Sequence, residues 1–557
     1  MMNGQDNQAV AVNGTEPEWT VKEIWLLLLF LCAVLILRIY NLGSYDVLSA
    51  DGTSYGPIGQ IFFRTGDFRV FGFLSGPGYS FFVGLLDLLV NNIESSLRLV
   101  SVIFSSLTVG VVYGMGRQFY NRPSAMAAAL LCTTLPFLHN MSGIDITEPA
   151  FTFFLLAGSF VFWKAYTEIS PRLAVVAGLL LVIAYLTRSE GFITWFALSV
   201  FAVLDLAFRF RTVGKKLLVR VMIPFWLAYM VLFAPYLVYL RAMTGEWHLS
   251  GKAAGNAQVI KSYLGLTAEG VDVKFRFKNT ANGFDNAEGE GLGKLLREDP
   301  EVFFYNIRKN LREIPDAFQG AMPWYLLLAV AAAFIFFPWK RHDLSVRACF
   351  VSICAPLVIY ILFFVQQRGF HPYVSALCVM AGAGICLPGR VLGKICRRST
   401  LFSSLPLILL VLPLTGYYFY LDFPREKPPY EHTQDGARQD DKHIGQRLKK
   451  LLPPDAVIMT RFGRIAFYAE RPMIIPPQES YADIIAFARK SGVTHLIVND
   501  MLMEMRPQLE ALYGPLKNPS VPFVPPPEVR LIFMGEEPGG LPYLVYQLLP
   551  ASPAAAP

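Results

Sequence analysis

The sequence predicts a polytopic all-α membrane bundle of about eleven transmembrane helices, with juxtamembrane helices in its first outer loop and a small soluble α/β domain at the C-terminus. Three observations carry that expectation. The 557-residue chain is 54% hydrophobic and only 16% charged, where a soluble chain holds about a quarter charged residues. The deficit gathers in apolar runs of roughly 17–20 residues, the length a helix needs to cross a hydrocarbon core about 30 Å thick. From about Lys449 the pattern changes to short β runs, "AVIMT", "THLIVND", "VRLIFMG" and "YLVYQLL", with the helical stretch "YADIIAFARKSG" before the second.

Taken in order, residues 1–23 read as a cytoplasmic tail. The first apolar run, from about Ile24 to Leu42, exceeds a signal-peptide core and is followed by no small-residue cleavage site, so it reads as a retained anchor. Spans centre near residues 33, 107, 131, 158, 180, 200, 231, 330, 357, 381 and 410. Gly78–Val90 ("GYSFFVGLLDLLV") is too short to cross and is interrupted by Asp87, so it is expected to be interfacial or re-entrant. With the N-terminus inside, the inner loops Arg117–Arg122, Lys164–Arg172, Arg209–Arg220, Lys340–Arg347 and Arg390–Arg398 hold sixteen lysines and arginines. The short outer loops Met141–Glu148, Arg188–Gly191 and Gln367–His371 hold two, Arg188 and Arg368. Counting Gly78–Val90 as a further span would put the basic clusters outside, so the charge asymmetry selects the eleven-span topology. The transmembrane domain is then 24–420, with outer loops 43–96 and 242–322. An extracytoplasmic α/β domain follows at 421–550, and a disordered tail at 551–557.

The net charge of +7 calls for no nucleic acid, because cytoplasmic loops of membrane proteins are basic by rule. Cys32, Cys132, Cys349, Cys354, Cys378, Cys386 and Cys396 all lie in or beside apolar runs. None of them forms a pair with metal-ligand spacing in a polar segment, so neither a disulfide framework nor a zinc site is expected.

Ionisable residues at membrane depth are costly and are site candidates for that reason. Asp51 precedes Tyr55, Ile58, Phe62 and Phe63 at helical spacing, with Arg64 and Asp67 at the far end. That segment is expected to lie on the membrane plane, aromatic face down, with Asp51 either its N-cap or a catalytic acid. In "NMSGIDITEPAF", Asp145 and Glu148 stand before a span opened by Pro149. Asp145 or Thr147 could cap it and Glu148 could sit on the helix dipole; the other reading gives them chemical roles. Arg188 and Glu190 in "YLTRSEGF" form a simple salt bridge or present Arg188 to an anionic ligand. Arg368, His371 and Tyr373 lie at the outer end of a span, where a lone arginine commonly snorkels. All of these loops share the outer side. One carboxylate there can serve as general base for a hydroxyl, and cations can stabilise charge on a departing phosphate.

The order "D-x-x-x-Y…GD…G-P-G-Y", "T-E-P" opening a span, "L-T-R-S-E-G", "T-G-E-W…G-K" and "R-x-x-H-P" resembles the C-type (GT-C) membrane glycosyltransferases. The similarity is to the group of dolichyl-phosphate-mannose protein mannosyltransferases and the lipid A aminoarabinose transferase, and it covers Trp25 to about Tyr420 in layout. It implies transfer of a sugar from a polyprenyl-phosphate donor to a hydroxyl of a protein, lipid or glycan acceptor on the outer face, usually with inversion. It implies no cofactor, and a bacterial inner membrane with the site facing the periplasm. The family's first-loop acid falls on Asp51. Its second-loop acid falls on Glu148 with Asp145 as competitor, and its phosphate-binding arginines fall on Arg188 and Arg368. Tyr55, Arg64, Arg69 and His371 are further donor-side candidates. Three departures stand out: Gly52 where some relatives have a second adjacent acid, no D-x-D pair, and "SGPGY" without the basic residue some relatives carry before the proline. The other function classes open to the sequence are a flippase or transporter of lipid-linked sugars, and a glycan ligase or polymerase using a lipid diphosphate donor.

Overall fold

A computed structural model of the chain describes residues 19–42, 47–72, 76–209, 214–245, 247–251, 260, 278–280, 283–285, 292–336, 341–395, 404–422, 439–461, 463–477, 479–499, 502–503, 506–518, 520, 522–536 and 542–550. The expectations for residues 1–18, for residues 246, 252–259, 261–277, 281–282 and 286–291 of the 242–322 loop, and for the tail 551–557 lie outside the described residues.

The first expected span is the helix Val21–Asn41, started by Thr20, whose Oγ1 accepts from the Glu23 amide at 3.1 Å. Glu23 accepts from Tyr113, Arg117 and Arg122 at 2.9–3.0 Å. One acid thus ties the N-terminal end of this helix to the helices Ile93–Phe119 and Arg122–Thr134. All eleven expected centres fall on helices. Six helices among the described residues are long and apolar enough to cross a membrane: Val21–Tyr40, Ile93–Phe119, Glu148–Glu168, Lys215–Thr244, Leu344–Leu362 and Gln367–Leu392. A seventh comes from Pro300–Ala321 and Trp324–Phe336 if that pair, bent by 99°, is one broken span. Pro171–Thr187, Gly191–Ala207 and Ser404–Tyr420 are shorter. The first two of these stop early because the chain turns between them through the charged corner Arg188–Glu190.

After the first span, the helix Gly52–Thr65 forms as expected, but its aromatic side packs on protein. Tyr55 is buried in edge-to-face contact with Tyr79 at 5.4 Å, and Phe62 and Phe63 pack on Phe81. The reason is the neighbouring helix Gly78–Val90, which crosses Gly52–Thr65 where Gly59 meets Gly84; a Cβ at either would run into the other's backbone. Asp87, the polar break in that apolar piece, accepts from Gln60 Nε2 at 2.7 Å and Ser96 Oγ at 3.0 Å. The membrane core is built around Glu148–Glu168, Pro171–Thr187 and the helix His371–Ile385, which packs against Arg122–Thr134.

In chain order, β1 (Lys278–Thr280) and β2 (Gly283–Asp285) form an antiparallel hairpin in the long outer loop. The C-terminal sheet comprises β3 (Ile458–Met459), β4 (Met473–Ile474), β5 (His495–Asn499), β6 (Val529–Glu536) and β7 (Pro542–Leu548), in the order β4-β3-β5-β7-β6. The β4-β3-β5 part is parallel, and β7 pairs antiparallel with both β5 and β6. Helices cover both faces, Gln439–Leu451 and Gly463–Ala469 on one and Tyr481–Lys490 on the other. The four expected strands and the helix Tyr481–Lys490 are present. The helices Gln439–Leu451 and Gly463–Ala469 and the two-residue β4 were not expected, the last being too short to carry an alternation.

Candidate functional site

Asp51 lies one residue before the helix Gly52–Thr65, in helical geometry, and its side chain makes no capping bond. Its carboxylate instead accepts from Arg368 Nη1 at 3.0 Å. Arg368 stands in a 3₁₀ turn, Gln367–Phe370, at the head of the helix His371–Ile385. That turn is held by Tyr360, whose hydroxyl donates to the Gly369 carbonyl at 3.1 Å. From the amphipathic helix Pro300–Ala321, Asn306 and Asn310 donate to the carbonyls of Ile361, Leu362 and Phe363 at 3.0–3.1 Å. These carbonyls end a helix and lack intrahelical partners, so the two asparagines fix the break that presents Arg368.

Glu148 opens the helix Glu148–Glu168 with Pro149 in its first turn, and Thr147 makes no side-chain cap. The Glu148 side chain is 2% exposed and contacts two arginines through Oε1, Arg188 Nη1 at 2.5 Å and Arg368 Nε at 3.6 Å. Arg188 also reaches Glu190 at 2.8 Å and donates to Thr147 Oγ1 at 3.3 Å. Burial opposes the charge on Arg188, but Glu190 and Glu148 raise its pKa well above the ordinary arginine value. Arg188 is therefore salt-bridged, and it stands one carboxylate away from Arg368. Asp51, Arg368, Glu148, Arg188 and Glu190 form a continuous network of alternating charge contributed by four connecting loops.

Asp145 sits beside this chain in a different setting. It is buried, and its Oδ2 accepts from the Ser49 amide and the Ser49 hydroxyl, both at 2.8 Å. Burial raises its pKa above the ordinary carboxyl value, against the hydrogen bonds from Ser49 and the charge of Arg98. Ser49 Oγ in turn accepts from the Gly52 amide at 3.0 Å. A Cβ built on Gly52 would run into the Asp145 carboxylate, so the acid from the second loop fills the place of a side chain at position 52.

The other candidates lie elsewhere. His371 is buried, with Nδ1 at 2.7 Å from Thr152 Oγ1 on the helix Glu148–Glu168. Arg64 is exposed near the far end of Gly52–Thr65, about 20 Å along the axis from Asp51 at 1.5 Å per residue. Arg69 pairs with Asp67 on the surface at 2.9 Å. Tyr55 is packed on Tyr79. Ser49 and Tyr468 were not anticipated: Ser49 is one hydroxyl in a loop, and Tyr468 lies 420 residues from Leu48, the residue whose amide donates to it. No local pattern signals either. Among the described residues, no group of three or more His, Cys, Asp and Glu side chains could hold a metal ion.

Residues 75–239 match the family model of dolichyl-phosphate-mannose-protein mannosyltransferases. Among solved structures, ArnT from Cupriavidus metallidurans bound to undecaprenyl phosphate is similar with a TM-score of 0.55 at 14% identity, over 96% of this chain and 99% of that one. The same protein in the apo state gives 0.55 at 12% identity, over 94% and 98%. The oligosaccharyltransferase AglB from Archaeoglobus fulgidus, in complex with an inhibitory peptide and a dolichol-phosphate, is similar with a TM-score of 0.49 at 12% identity, over 87% of this chain and 70% of that one. No curated protein matches the chain in sequence. The ArnT likeness, at these identities, shows a shared fold. The family match covers residues 75–239, and there the chain is similar to the dolichyl-phosphate-mannose-protein mannosyltransferases.

Proposed function

We propose that this protein transfers a sugar from a polyprenyl-phosphate-linked donor to a hydroxyl acceptor at the outer face of the membrane, by an inverting single displacement. The observation that carries the reading is Arg368 bridging Asp51 and Glu148, with Arg188 on the far side of Glu148. The two guanidiniums supply the planar donor sets that suit a phosphate. Glu148 holds them together, and its negative charge limits the excess positive charge of the pair while no phosphate is bound. Among Asp51, Glu148 and Glu190, Asp51 is the most water-accessible acid, with its side chain 43% exposed, and so is placed to meet an acceptor.

In the reaction, the acceptor hydroxyl oxygen bonds to the anomeric carbon as the bond from that carbon to the phosphate oxygen breaks. The hydroxyl proton passes to Asp51, and the electron pair of the broken bond leaves on the polyprenyl phosphate, where Arg188 and Arg368 stabilise it. Asp145 shapes the Asp51 loop in this scheme. His371 supports the packing of the helix that carries Arg368. Residues 24–420 form the catalytic membrane domain and 421–550 an outer domain, in a bacterial inner membrane with the site on the periplasmic side. That ArnT has been solved with undecaprenyl phosphate supports the carrier class. The test is transfer of labelled sugar from a polyprenyl-phosphate donor, comparing wild type with Asp51→Asn. Wild-type turnover by the variant contradicts the role of Asp51.

A further inference from the structure

We infer that Tyr468 of the outer domain is a positioning residue of the transfer site, holding through Leu48 the loop that carries Asp51. The inference rests on Asp51 being the acid that meets the acceptor. Leu48 is fully buried, and its amide donates to the Tyr468 hydroxyl at 3.0 Å. The next residue is Ser49, which is bonded to Asp145, and Asp51 follows two positions later. The segment Val47–Asp51 is therefore gripped from both sides, by Asp145 of the membrane domain and by Tyr468 of the outer domain.

The Tyr468 hydroxyl has an anchor of its own. It reaches Glu94 Oε1 at 3.5 Å, and that carboxylate also binds Arg98 at 2.9 Å and Lys442 at 3.3 Å. Glu94 and Arg98 stand at the outer end of the membrane helix Ile93–Phe119, whereas Lys442 belongs to the outer-domain helix Gln439–Leu451. The Lys442 ammonium lies 5.2 Å from the centre of the Tyr468 ring. The ring itself packs in one apolar cluster with Val47, Leu48, Tyr55 and Tyr79. At Gly463, an added Cβ would stand 3.2 Å from Thr53 Oγ1, so the helix Gly463–Ala469 lies against the first turn of the Asp51 helix. A buried amide has one route to satisfaction here, and losing it frees the backbone two or three residues from the reacting carboxylate. Misplacing a catalytic group by about 1 Å can cost on the order of a hundredfold in rate.

Tyr468→Phe keeps the ring and removes the hydroxyl, and the test uses the full chain in lipid nanodiscs. Hydrogen exchange should accelerate about tenfold in the peptide spanning Val47–Tyr55, with the β5 and β7 peptides unchanged, matching one lost buried hydrogen bond. Transfer kinetics should show kcat, expressed per folded protein, down about tenfold and KM for the polyprenyl-phosphate sugar within about twofold. Lys442→Met, which leaves Tyr468 in place but removes one partner of Glu94, should move both readouts the same way by a smaller factor. If Tyr468→Phe does not fold, Lys442→Met carries the test. Unchanged exchange in that peptide overturns the inference, and so does faster exchange with wild-type kcat. If the wild type itself transfers nothing from a polyprenyl-phosphate donor, the proposed donor is wrong, and the exchange result alone decides whether Tyr468 holds the loop.

Discussion

Asp51 and Arg368 are separated by 317 residues and joined at 3.0 Å. The contact links the first outer loop to the last one, and Arg368 carries it on to Glu148 and the Arg188 corner. A carboxylate beside two guanidiniums at the membrane surface can handle a proton at one end and a phosphate at the other.

Asp51→Asn preserves size and keeps an acceptor for Arg368 but removes the base. General-base catalysis contributes roughly 10²–10⁴-fold, so kcat should fall by at least about 100-fold. Binding of polyprenyl phosphate, followed by the shift in thermal unfolding it causes, should persist. Loss of phosphate binding together with rate would instead assign Asp51 to holding the donor.

Removing Arg188 leaves the buried Glu148 carboxylate short of its nearest counter-charge. Breaking one side of a buried pair costs about 3–5 kcal/mol, and the 21% exposure of the Arg188 side chain places the expected loss at the low end. Arg188→Met should lower thermal stability, and the double variant with Glu148→Gln should recover part of it. Additive losses in that cycle would mean that the two residues are not coupled.

Gly52→Ala places a methyl group against the Asp145 carboxylate. Overpacking of this kind costs about 1–3 kcal/mol, and here it should also displace Ser49 and the Asp51 loop. The variant is expected to lose activity, with partial rescue by Asp145→Gly. A fully active Gly52→Ala enzyme would show that the loop tolerates a shift.

Asp145 gives a pH signature. Burial raises its folded-state pKa above the ordinary aspartate value of 3.8, so between that value and the higher folded value the native state holds a proton the unfolded chain has lost. Its stability contribution is complete below about 3.8 and declines as pH rises through the folded pKa. Relative to Asp145→Asn, wild type should therefore lose thermal stability as pH rises from about 4, and the difference should level off once the carboxyl has ionised. A difference independent of pH, or one that grows with pH, contradicts this assignment.

Much of this architecture was legible in the sequence. Long apolar runs fix the helices through transfer energies that act residue by residue, and the acids and arginines of the connecting loops were visible as costly charges. The division of labour among them was not. Asp51 looks like an N-cap from its position, yet its side chain points to Arg368. Asp145 and Glu148 are three residues apart, but one meets a serine and the other two arginines. Gly52 appeared as a missing acid, whereas its lack of a side chain is what admits Asp145. The aromatic face from Tyr55 to Phe63 looked membrane-facing from its helical spacing alone, and nothing local announces the Gly59–Gly84 crossing that packs it on Tyr79 and Phe81. Tyr468 depends on the docking of a separate domain, which no spacing encodes.

The central claim is that Arg188 and Arg368 together hold the carrier phosphate while Asp51 faces the acceptor. A cryo-EM map of the protein with a polyprenyl phosphate bound tests it most directly. The account predicts phosphate oxygens within about 3 Å of both guanidiniums, the range of charge-assisted hydrogen bonds, with Asp51 turned toward the open side. A phosphate bound at Arg64 or Arg69, with the Arg368 bridge between Asp51 and Glu148 intact, would contradict it.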